Sequence, residues 1–180
     1  MRLVKTLPFL LGLGTVLGSV SAWALPTDRD QPIHIQSDDA QLDDKQGIAT
    51  YKGNVIITQG TMKITGNTVT ITRTSTGEVN VFTSVGNLAY YEQTPELNKP
   101  IVQAYGVTIQ YFALDNKIVL IDKAKVINDG NTSEGEKIIY DTVKQIVNAG
   151  RANGTKLTAP RPRIDMVIQP KNKPDAQKAP

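Results

Sequence analysis

The sequence predicts an all-β protein, and three features of residues 33–168 support that class. Short runs such as 68–72 (TVTIT) and 107–111 (VTIQY) alternate apolar and polar side chains. Alternation with a period of two places one set of side chains on each face of a sheet. Turn-forming glycine, asparagine and aspartate recur at close spacing, and no run has the apolar spacing of an amphipathic helix. Many short, evenly punctuated strands are typical of a sandwich, a barrel, a jellyroll or a β-solenoid.

The predicted strands follow one another after a polar lead-in at residues 25–31. Pro32 precedes the first strand, the turn at 43–47 (DDKQG) separates early strands, and the longest loop, 92–100, contains two prolines. Each strand is a short apolar or alternating run between such turn signals. Strands are predicted at 33–35, 48–51, 55–59, 62–64, 69–72, 79–85, 88–91, 101–104, 107–113, 118–121, 124–127, 138–141, 145–149, 156–158 and 164–168.

The start of the chain, residues 1–24, has the organisation of a cleavable export signal. Arg2 and Lys5 form a positive start, residues 7–20 are apolar, and residues 22–24 (AWA) have small side chains at both ends. This pattern predicts cleavage after Ala24 and export of the remainder. The apolar stretch is short for a membrane span, so an uncleaved anchor is the weaker alternative.

The exported part is predicted to be one domain, residues 25–169, followed by a disordered basic tail, residues 170–180. The chain has no cysteine, so core packing and strand pairing must hold the fold without disulfides. Residues 151–180 carry seven basic and two acidic side chains, whereas residues 25–150 carry an excess of four acidic ones. The basic end is either a solvated tail or a contact for nucleic acid, phosphorylated lipid or an acidic partner. Of these we expect no nucleic-acid partner.

A faint internal repeat relates two segments of the chain. Residues 53–71 (GNVIITQGTMKITGNTVTI) overlie residues 122–140 (DKAKVINDGNTSEGEKIIY), with the apolar positions in phase and few identities. Two similar β-blocks in series would stack into an elongated body. Any two alternating runs can also be aligned in phase by chance.

Residues for enzymatic chemistry are few. His34 is the only histidine, and it lies between two isoleucines on the opposite face of a predicted strand. Without a second histidine or a cysteine we expect no zinc site and no cysteine nucleophile. We also expect no other metal site, no catalytic residue and no cofactor. An acidic cluster, Asp38, Asp39, Asp43 and Asp44, could bind Ca²⁺ or supply an acid–base pair, but aspartate is also common in turns.

The apolar face of the predicted sheet is the stronger candidate for a site. Its members occupy alternating positions of their strands, and most are medium-sized branched side chains. They can form a self-filled core, or a smooth slot suited to acyl chains, and the pattern alone leaves both open. The slot residues we single out are Ile33, Ile35, Val55, Ile57, Ile64, Val69, Ile71, Tyr91, Ile109 and Tyr111, and Met62, Val107 and Ile118 share their phase.

The first and last strands are the second candidate. Both lack proline within the strand, although Pro32 precedes one and Pro160 and Pro162 precede the other. Monomeric proteins usually protect such edges. Two compatible edges would permit head-to-tail strand addition, which grows open filaments. The predicted interface residues are Ile33, Ile35, Ile164, Met166 and Ile168.

Two blocks of sequence resemble a known family. Residues 30–38 (DQPIHIQSD) and 53–64 (GNVIITQGTMKI) are similar to the periplasmic lipopolysaccharide-transport bridge proteins of Gram-negative bacteria, the LptA family of the Lpt system. The likeness continues through residues 98–100 and the Tyr111 strand. The opening block is specific to this family, whereas the second block marks the wider domain family shared by other bridge components.

The resemblance implies a twisted, V-shaped β-jellyroll of serial antiparallel strands that is open at both ends. It further implies a non-enzymatic periplasmic protein that binds lipopolysaccharide through its lipid A acyl chains in an apolar groove. Family positions that touch the lipid match Ile33, Ile35, Tyr91 and Tyr111. Ala113 stands where the family pattern has a larger aliphatic residue, and Gly66-Asn67 and Asp122-Lys123 are turn variations.

The implied partners lie at the two ends of the chain. They are an inner-membrane Lpt component at the N-terminal edge, the outer-membrane Lpt translocon at the C-terminal edge, and further copies head to tail. Two other classes stay open on the residues alone. One is a β-solenoid binder or enzyme acting on acidic polysaccharide through the acidic cluster, and the other is a structural filament that uses only its edges.

Overall fold

The computed structural model describes residues 28–95, 99–150 and 163–170. A 3-10 helix, Asp28–Asp30, precedes ten strands. Among the described residues no helix is long and apolar enough to cross a membrane. The strands are β1 Ile33–Gln36, β2 Asp39–Asp43, β3 Ile48–Gln59, β4 Met62–Arg73, β5 Val79–Gln93, β6 Val102–Phe112, β7 Lys117–Asn128, β8 Asn131–Asp141, β9 Ile146–Gly150 and β10 Asp165–Val167.

All ten strands belong to one antiparallel sheet. Its order is β1-β3-β4-β5-β6-β7-β8-β10, with β2 also paired to β3 and β9 also paired to β8. The sheet does not close on itself, since β1 and β10 stand at its two ends. The prediction of an all-β jellyroll of serial antiparallel strands, open at both ends, is confirmed. The predicted signal, the strand at 156–158 and the tail beyond residue 170 lie outside the described residues.

Several predicted turns are bulges inside long strands, and the prediction of short separate strands was wrong there. Residues 53–54 lie within β3, residues 66–67 within β4, residues 86–87 within β5, Gly106 within β6 and residues 122–123 within β7. The pairing register shifts at each of these places while the ladder continues on both sides. Glycine and asparagine allow the local backbone conformation of a bulge as readily as that of a reversal, so composition could not distinguish them.

The true reversals lie at the ends of these long strands. Residues 129–130 form a two-residue hairpin loop in which both residues have positive φ, 50° and 75°. Positive φ at both central positions is what a type I′ turn requires, and Asp-Gly is a favoured sequence for it. Gly60 has a φ of 58° in the tight turn between β3 and β4. The strands therefore run the full width of the sheet between such turns.

The bulges of β3 to β8 form one line across the sheet, because each register shift lies beside the next. Bulges bend strands, and here the line divides the sheet into two walls. Wall A comprises residues 39–52, 68–85, 108–121 and 137–150, and wall B comprises residues 33–36, 55–66, 89–93, 102–106, 124–135 and 165–167.

One aromatic contact shows that the two walls face each other. Tyr111 pairs with Phe82, which lies nine residues from Tyr91 along β5. Nine residues of flat strand span about 30 Å, yet the ring centroids of Tyr91 and Tyr111 are 5.5 Å apart. The sheet is therefore folded along the line of bulges, with its apolar face inside.

The internal repeat is also present in the pairing register. Val55 pairs with Gly66, and their counterparts in the sequence repeat, Ala124 and Gly135, pair with each other. The same offset relates Ala49–Ile71 to Ile118–Tyr140, and it extends N-terminally, relating Leu42–Ala49 to Tyr111–Ile118. Positive φ recurs at the same offset, at Gly47, Gly53, Asn54 and Gly60 and again at Asn116, Asp122, Lys123 and Asp129. Unit 1 (33–73) and unit 2 (102–142) thus share one backbone plan, joined by β5.

Candidate functional site

The cleft between the two walls is lined by the apolar residues that the sequence singled out. Eight of those ten side chains are buried in a single cluster, and Ile33 and Ile35 are half-buried against it. Neighbouring positions on the same strands face outward: Ile57 is 0% exposed, whereas Ile56 is 37% exposed. The buried eight are Val55, Ile57, Ile64, Val69, Ile71, Tyr91, Ile109 and Tyr111.

Three further positions test the predicted alternation. Ala113 is buried and Leu114 is exposed, as their phase predicts. Val107, which we placed in the inward set, is not buried, because the register shift in β6 changes the phase between Gly106 and Ile109. The alternation therefore holds on each side of a bulge but not across it.

Aromatic side chains from both walls close the middle of the cleft. The rings of Phe82 and Tyr111 are 6.0 Å apart and stacked, and Tyr91 contacts Tyr111 from the other wall. The Tyr91 hydroxyl donates to Gln93 Oε1. Burial raises the pKa of Tyr91 well above its usual value, and Tyr111 and Asp28 add to the shift. Burial also raises the pKa of Tyr111, so both phenols are neutral near pH 7.

The 3-10 helix ties the rims of the two walls together. Asp28 Oδ1 accepts the backbone N–H of Thr61 at 2.7 Å, and Asp28 Oδ2 accepts the Gln93 amide at 2.7 Å, both on the rim of wall B. The Arg29 guanidinium donates to the carbonyl of Ala113 and to Asn116 Oδ1, on the rim of wall A. We call this pair of residues, Asp28 and Arg29, the strap. No feature of the sequence indicated it, because its partners are distant from it along the chain.

A cavity of about 270 Å³ lies beneath the strap. Met62, Tyr111 and Ala113 are among its lining residues, together with Asp28 and Arg29. Ligand sites for drug-sized molecules usually measure 300–1,000 Å³, so this space is small for a lipid with several chains. The space between the walls is therefore filled mainly by the protein's own side chains. This is the self-filled core, the first of the two alternatives that the apolar pattern left open.

A larger cavity, about 570 Å³, lies away from the cleft. Tyr105, Lys125, Glu134 and Asp165 line it, and these four residues stand side by side across β6, β7, β8 and β10 on the outer face. Lys125 Nζ lies 2.8 Å from Glu134 Oε1 in an exposed ion pair. Exposed pairs of this kind contribute about 0–1 kcal/mol to stability, and of the residues that line this cavity only Ala124 belongs to the buried apolar cluster.

The acidic cluster does not form a shared site. Asp43 Oδ1 accepts the backbone N–H of Gln46 at 3.0 Å in the β2–β3 turn. Asp38 Oδ2 accepts the Asn54 amide at 3.2 Å beside the first bulge. His34 is exposed on β1, and no group of three or more potential metal ligands occurs among the described residues. These aspartates therefore have local roles in turns, as their residue type suggests.

Both ends of the sheet expose apolar side chains of the inward row. On β10, Met166 pairs with Ser133 and is 50% exposed, and its neighbours in phase, Ile164 and Ile168, are 49% and 79% exposed. At the other end, Leu42 of β2 is 58% exposed. Each end lacks a neighbouring strand among the described residues, so the apolar interior continues to the margins of the sheet.

A folded, unclosed antiparallel sheet with an apolar interior and two uncovered ends defines a class of open β-jellyroll protein. A family model described as "LptA/(LptD N-terminal domain) LPS transport protein" matches residues 34–146. The chain belongs to this lipopolysaccharide-transport family.

Individual relatives agree with the family assignment. The chain is 62% identical over 173 residues to the lipopolysaccharide export system protein LptH of Pseudomonas aeruginosa, covering 96% of this chain and 99% of the relative. It is 33% identical over 155 residues to LptA of Escherichia coli K12, covering 85% and 83%. A crystal structure of P. aeruginosa LptH, described as a periplasmic component of the lipopolysaccharide transport device, matches with a TM-score of 0.74 over 81% of this chain and 100% of that chain.

Proposed function

We propose that this protein carries lipopolysaccharide across the periplasm by covering the lipid A acyl chains between walls A and B. The observation that supports this most directly is the continuous apolar lining, from the half-buried Ile33 and Ile35 at one end to the exposed Met166 at the other. The sugar head would stay in water beyond the rims. The export signal predicted at residues 1–24 fits this location.

The free energy of exposing acyl chains to water makes such a cover necessary. Each exposed methylene costs about 0.8 kcal/mol. A chain of roughly a dozen carbons then costs about 10 kcal/mol, and a lipid with several chains costs several times as much. Free diffusion of the lipid through an aqueous compartment is therefore negligible, whereas a slot open along one side covers the chains and leaves the head solvated.

Lipid entry would require the two walls to separate. The contact between Tyr91 and Tyr111 and the cavity of about 270 Å³ describe a closed cleft. Apolar contacts between the walls would be replaced by apolar contacts with acyl chains, so the hydrophobic free energy of the interior changes little on exchange. The strap would have to release one rim, since it bonds to both. No covalent chemistry is needed for this transfer.

Passage along the bridge would use the uncovered ends of the sheet. We propose that the β1–β2 edge faces the inner-membrane Lpt component, that the β9–β10 edge faces the outer-membrane translocon, and that copies can join head to tail. Strand addition at these edges would continue the apolar lining from one molecule to the next.

Photocrosslinking at paired inward and outward positions tests this proposal. A photoreactive residue at Tyr111 or at Ile57 should label the acyl chains of lipopolysaccharide. The same residue at Gln110 or Ile56, one position along the same strand and on the outer face, is the matched control. We expect at least a tenfold excess of labelled lipid at the inward positions.

Equal labelling at inward and outward positions would contradict the proposal, because it would place the lipid outside the cleft. Labelling that is unaffected by removal of the acyl chains would do so as well. The purely structural filament predicts assembly without saturable lipid binding, so a titration with lipopolysaccharide separates it from the carrier.

A further inference from the structure

The cavity of about 570 Å³ lies on the outer face of wall B, on the opposite side of the sheet from the cleft. Tyr105, Lys125 and Glu134 line it, whereas their strand neighbours Ala104 and Val126 are buried on the inward face. The volume of this cavity is within the range that is usual for sites binding small molecules. A ligand held here would not compete for space with acyl chains between the walls.

One side of the cavity is aromatic and apolar. Tyr105 pairs with Tyr90 in the β5–β6 ladder, and their ring centroids are 5.0 Å apart at an interplanar angle of 47°. Tyr90 is fixed in turn, because its hydroxyl donates to Glu92 and accepts the Gln103 amide at 3.0 Å. The exposed Leu88 also lines the cavity. A ring held in this way offers a ligand contact area at little cost in conformational entropy.

The other side of the cavity is charged, and cations outnumber carboxylates there. Lys125 and Glu134 form an ion pair with each other. Lys123 and Arg163 also line the cavity, and neither has an ion pair within the part of the chain that the structure describes. Asp165 is the remaining carboxylate among the described lining residues. Exposed cations without a partner favour an anionic group, and a guanidinium binds phosphate or carboxylate through two parallel hydrogen bonds.

The internal repeat shows that the fold does not require these side chains. Tyr105, Lys125 and Glu134 stand side by side in one row across unit 2. The paired positions that correspond to them in unit 1 are Gln36, Ile56 and Thr65. Unit 1 therefore keeps the same register with neither a charge nor an aromatic ring in this row. The ring and the charges of unit 2 serve a purpose other than strand pairing.

Lys123 has a backbone conformation that is unfavourable for lysine. Its φ is 52°, and it follows Asp122 in the bulge of β7. The corresponding residues of unit 1 are Gly53 and Asn54, with φ of 77° and 46°. Glycine and asparagine adopt positive φ readily, whereas lysine has no side-chain group that offsets the steric cost. Conformations of this kind concentrate at binding sites, so a lysine at this position indicates a use for its ammonium group.

We infer that this cavity binds an acidic sugar, a pyranose ring that carries a phosphate or carboxylate group. The C–H face of the ring stacks on Tyr105, and Lys123 and Arg163 bind the acid group. A bare anion would leave Glu134 and Asp165 facing like charge, whereas sugar hydroxyls both donate and accept hydrogen bonds and so suit charges of both signs. The inference is independent of the proposed function. A lipid in the cleft would hold its head beyond the rims, whereas this cavity adjoins the bulge of β7, so the sugar belongs to a separate molecule.

Titration of the protein with simple sugars, followed by amide NMR shifts, tests the inference. Glucuronate and glucose 1-phosphate should give saturable shifts at Tyr105, Lys123 and Glu134. Glucose and inorganic phosphate, which each supply only one of the two recognised groups, should bind about fivefold more weakly or less. Polyglucuronate and the acyl-free head of lipopolysaccharide represent the two sources of an acidic sugar. Saturable binding of either one supports the site, and the tighter of the two identifies the source, whereas binding of neither would overturn the inference.

Two variants that restore the residues of unit 1 assign the roles. Lys123→Asn should keep or raise the melting temperature, because asparagine suits positive φ, and should weaken glucuronate binding about fivefold or more while leaving glucose binding unchanged. Tyr105→Gln should weaken the binding of both sugars. Lys45→Ala, in the exposed β2–β3 turn, is the control and should bind as the parent does.

Unchanged glucuronate affinity in Lys123→Asn, or an equal loss in the Lys45→Ala control, would overturn the inference. A lower melting temperature in Lys123→Asn with unchanged affinity would instead give Lys123 a purely structural role. Labelling of lipid from Tyr111 does not depend on this cavity, so failure of the sugar site and failure of the carrier proposal are distinguishable.

Discussion

Units 1 and 2 share a backbone plan but place their large side chains in opposite walls. In wall A, Ala49 and Ile71 of unit 1 correspond to Ile118 and Tyr140 of unit 2, so the bulk is greater in unit 2. In wall B the trend reverses. There, Ile35, Val55 and Ile64 of unit 1 correspond to Ala104, Ala124 and Ser133 of unit 2.

This comparison shows what the fold demands of its sequence. Register, bulge positions and turn conformations are the same in both units. Residue identity and side-chain volume differ between corresponding positions, and the larger side chains belong to unit 2 in wall A and to unit 1 in wall B. A packed interior requires a total volume rather than a fixed side chain at each place. The weak sequence identity between the units follows from this, since only the apolar phase and the positive-φ positions are constrained.

The largest effect is expected when bulk is exchanged between counterparts in wall A. Ile118→Ala removes a fully buried side chain and should lower the free energy of unfolding by about 2–5 kcal/mol. Ala49→Ile, at the corresponding place in unit 1, should overpack the interior and lower it by about 1–3 kcal/mol. Urea unfolding of the two variants measures both. Stabilisation by Ala49→Ile would mean that unit 1 has unfilled space in this wall, contrary to the comparison.

A smaller difference is expected between the two glycines opposite the bulges. A Cβ at Gly66 would collide with Ser84 Oγ, which is buried and donates to the carbonyl of Thr65, and would lie 3.1 Å from the carbonyl oxygen of Val85. A Cβ at its counterpart Gly135 would come no closer than 3.7 Å to any atom. Gly66→Ala should therefore cost about 1–3 kcal/mol, and Gly135→Ala should leave stability unchanged or raise it by up to about 1 kcal/mol. Thermal unfolding of the pair decides this, and equal losses would argue that the two bulges are not differently packed.

The strap joins the two units, and its removal should have a modest effect on stability. Arg29→Ala removes two hydrogen bonds from a charged donor at the rim and should lower the free energy of unfolding by about 1 kcal/mol, because the site is partly exposed. Opening of the rim should also increase the fluorescence of an apolar dye bound in the cleft. Lys45→Ala, in the exposed β2–β3 turn, is the control. If both variants bind the dye as the parent does, the strap does not restrain the walls.

The smallest expected effect concerns Tyr140, whose counterpart in unit 1 is Ile71. Burial raises the pKa of Tyr140 to about 12, with a further contribution from Asp141. Between pH 10 and about 12 the unfolded chain loses this proton before the folded one, so stability falls as the pH rises. Tyr140→Phe should make that fall shallower while changing little below pH 10. Denaturation midpoints measured from pH 8 to 12 test this, and identical slopes in parent and variant would contradict the assignment.

Much of the fold was predictable because alternation survives on each side of the bulges. The inward phase of Val55, Ile57, Val69, Ile71 and Tyr91 follows directly from the sequence. The bend does not, because Gly53-Asn54 or Gly66-Asn67 is as compatible with a reversal as with a bulge, and only pairing with neighbouring strands decides between them. The prediction of short separate strands was wrong for this reason.

The candidate cleft was partly predictable. Its lining came from the phase of the strands, and the end strands came from their position in a serial sheet. The strap was not predictable, since Asp28 and Arg29 are ordinary polar residues whose partners, Thr61, Gln93 and Ala113, are brought together only by the fold. Closure of the cleft was likewise not predictable, because an alternating pattern indicates which face a side chain occupies but not the distance between two walls.

The distance between the two rims tests the central claim most directly. Spin labels attached to cysteines at Ile101 and Leu114, two exposed positions just beyond the ends of β6, report the separation of walls B and A. Acyl chains inserted between the walls add at least one layer of atoms at van der Waals distance, so saturating lipopolysaccharide should lengthen this distance by about 4 Å or more. The same sugar head without acyl chains should leave it unchanged. An unchanged distance with lipopolysaccharide bound would contradict the account.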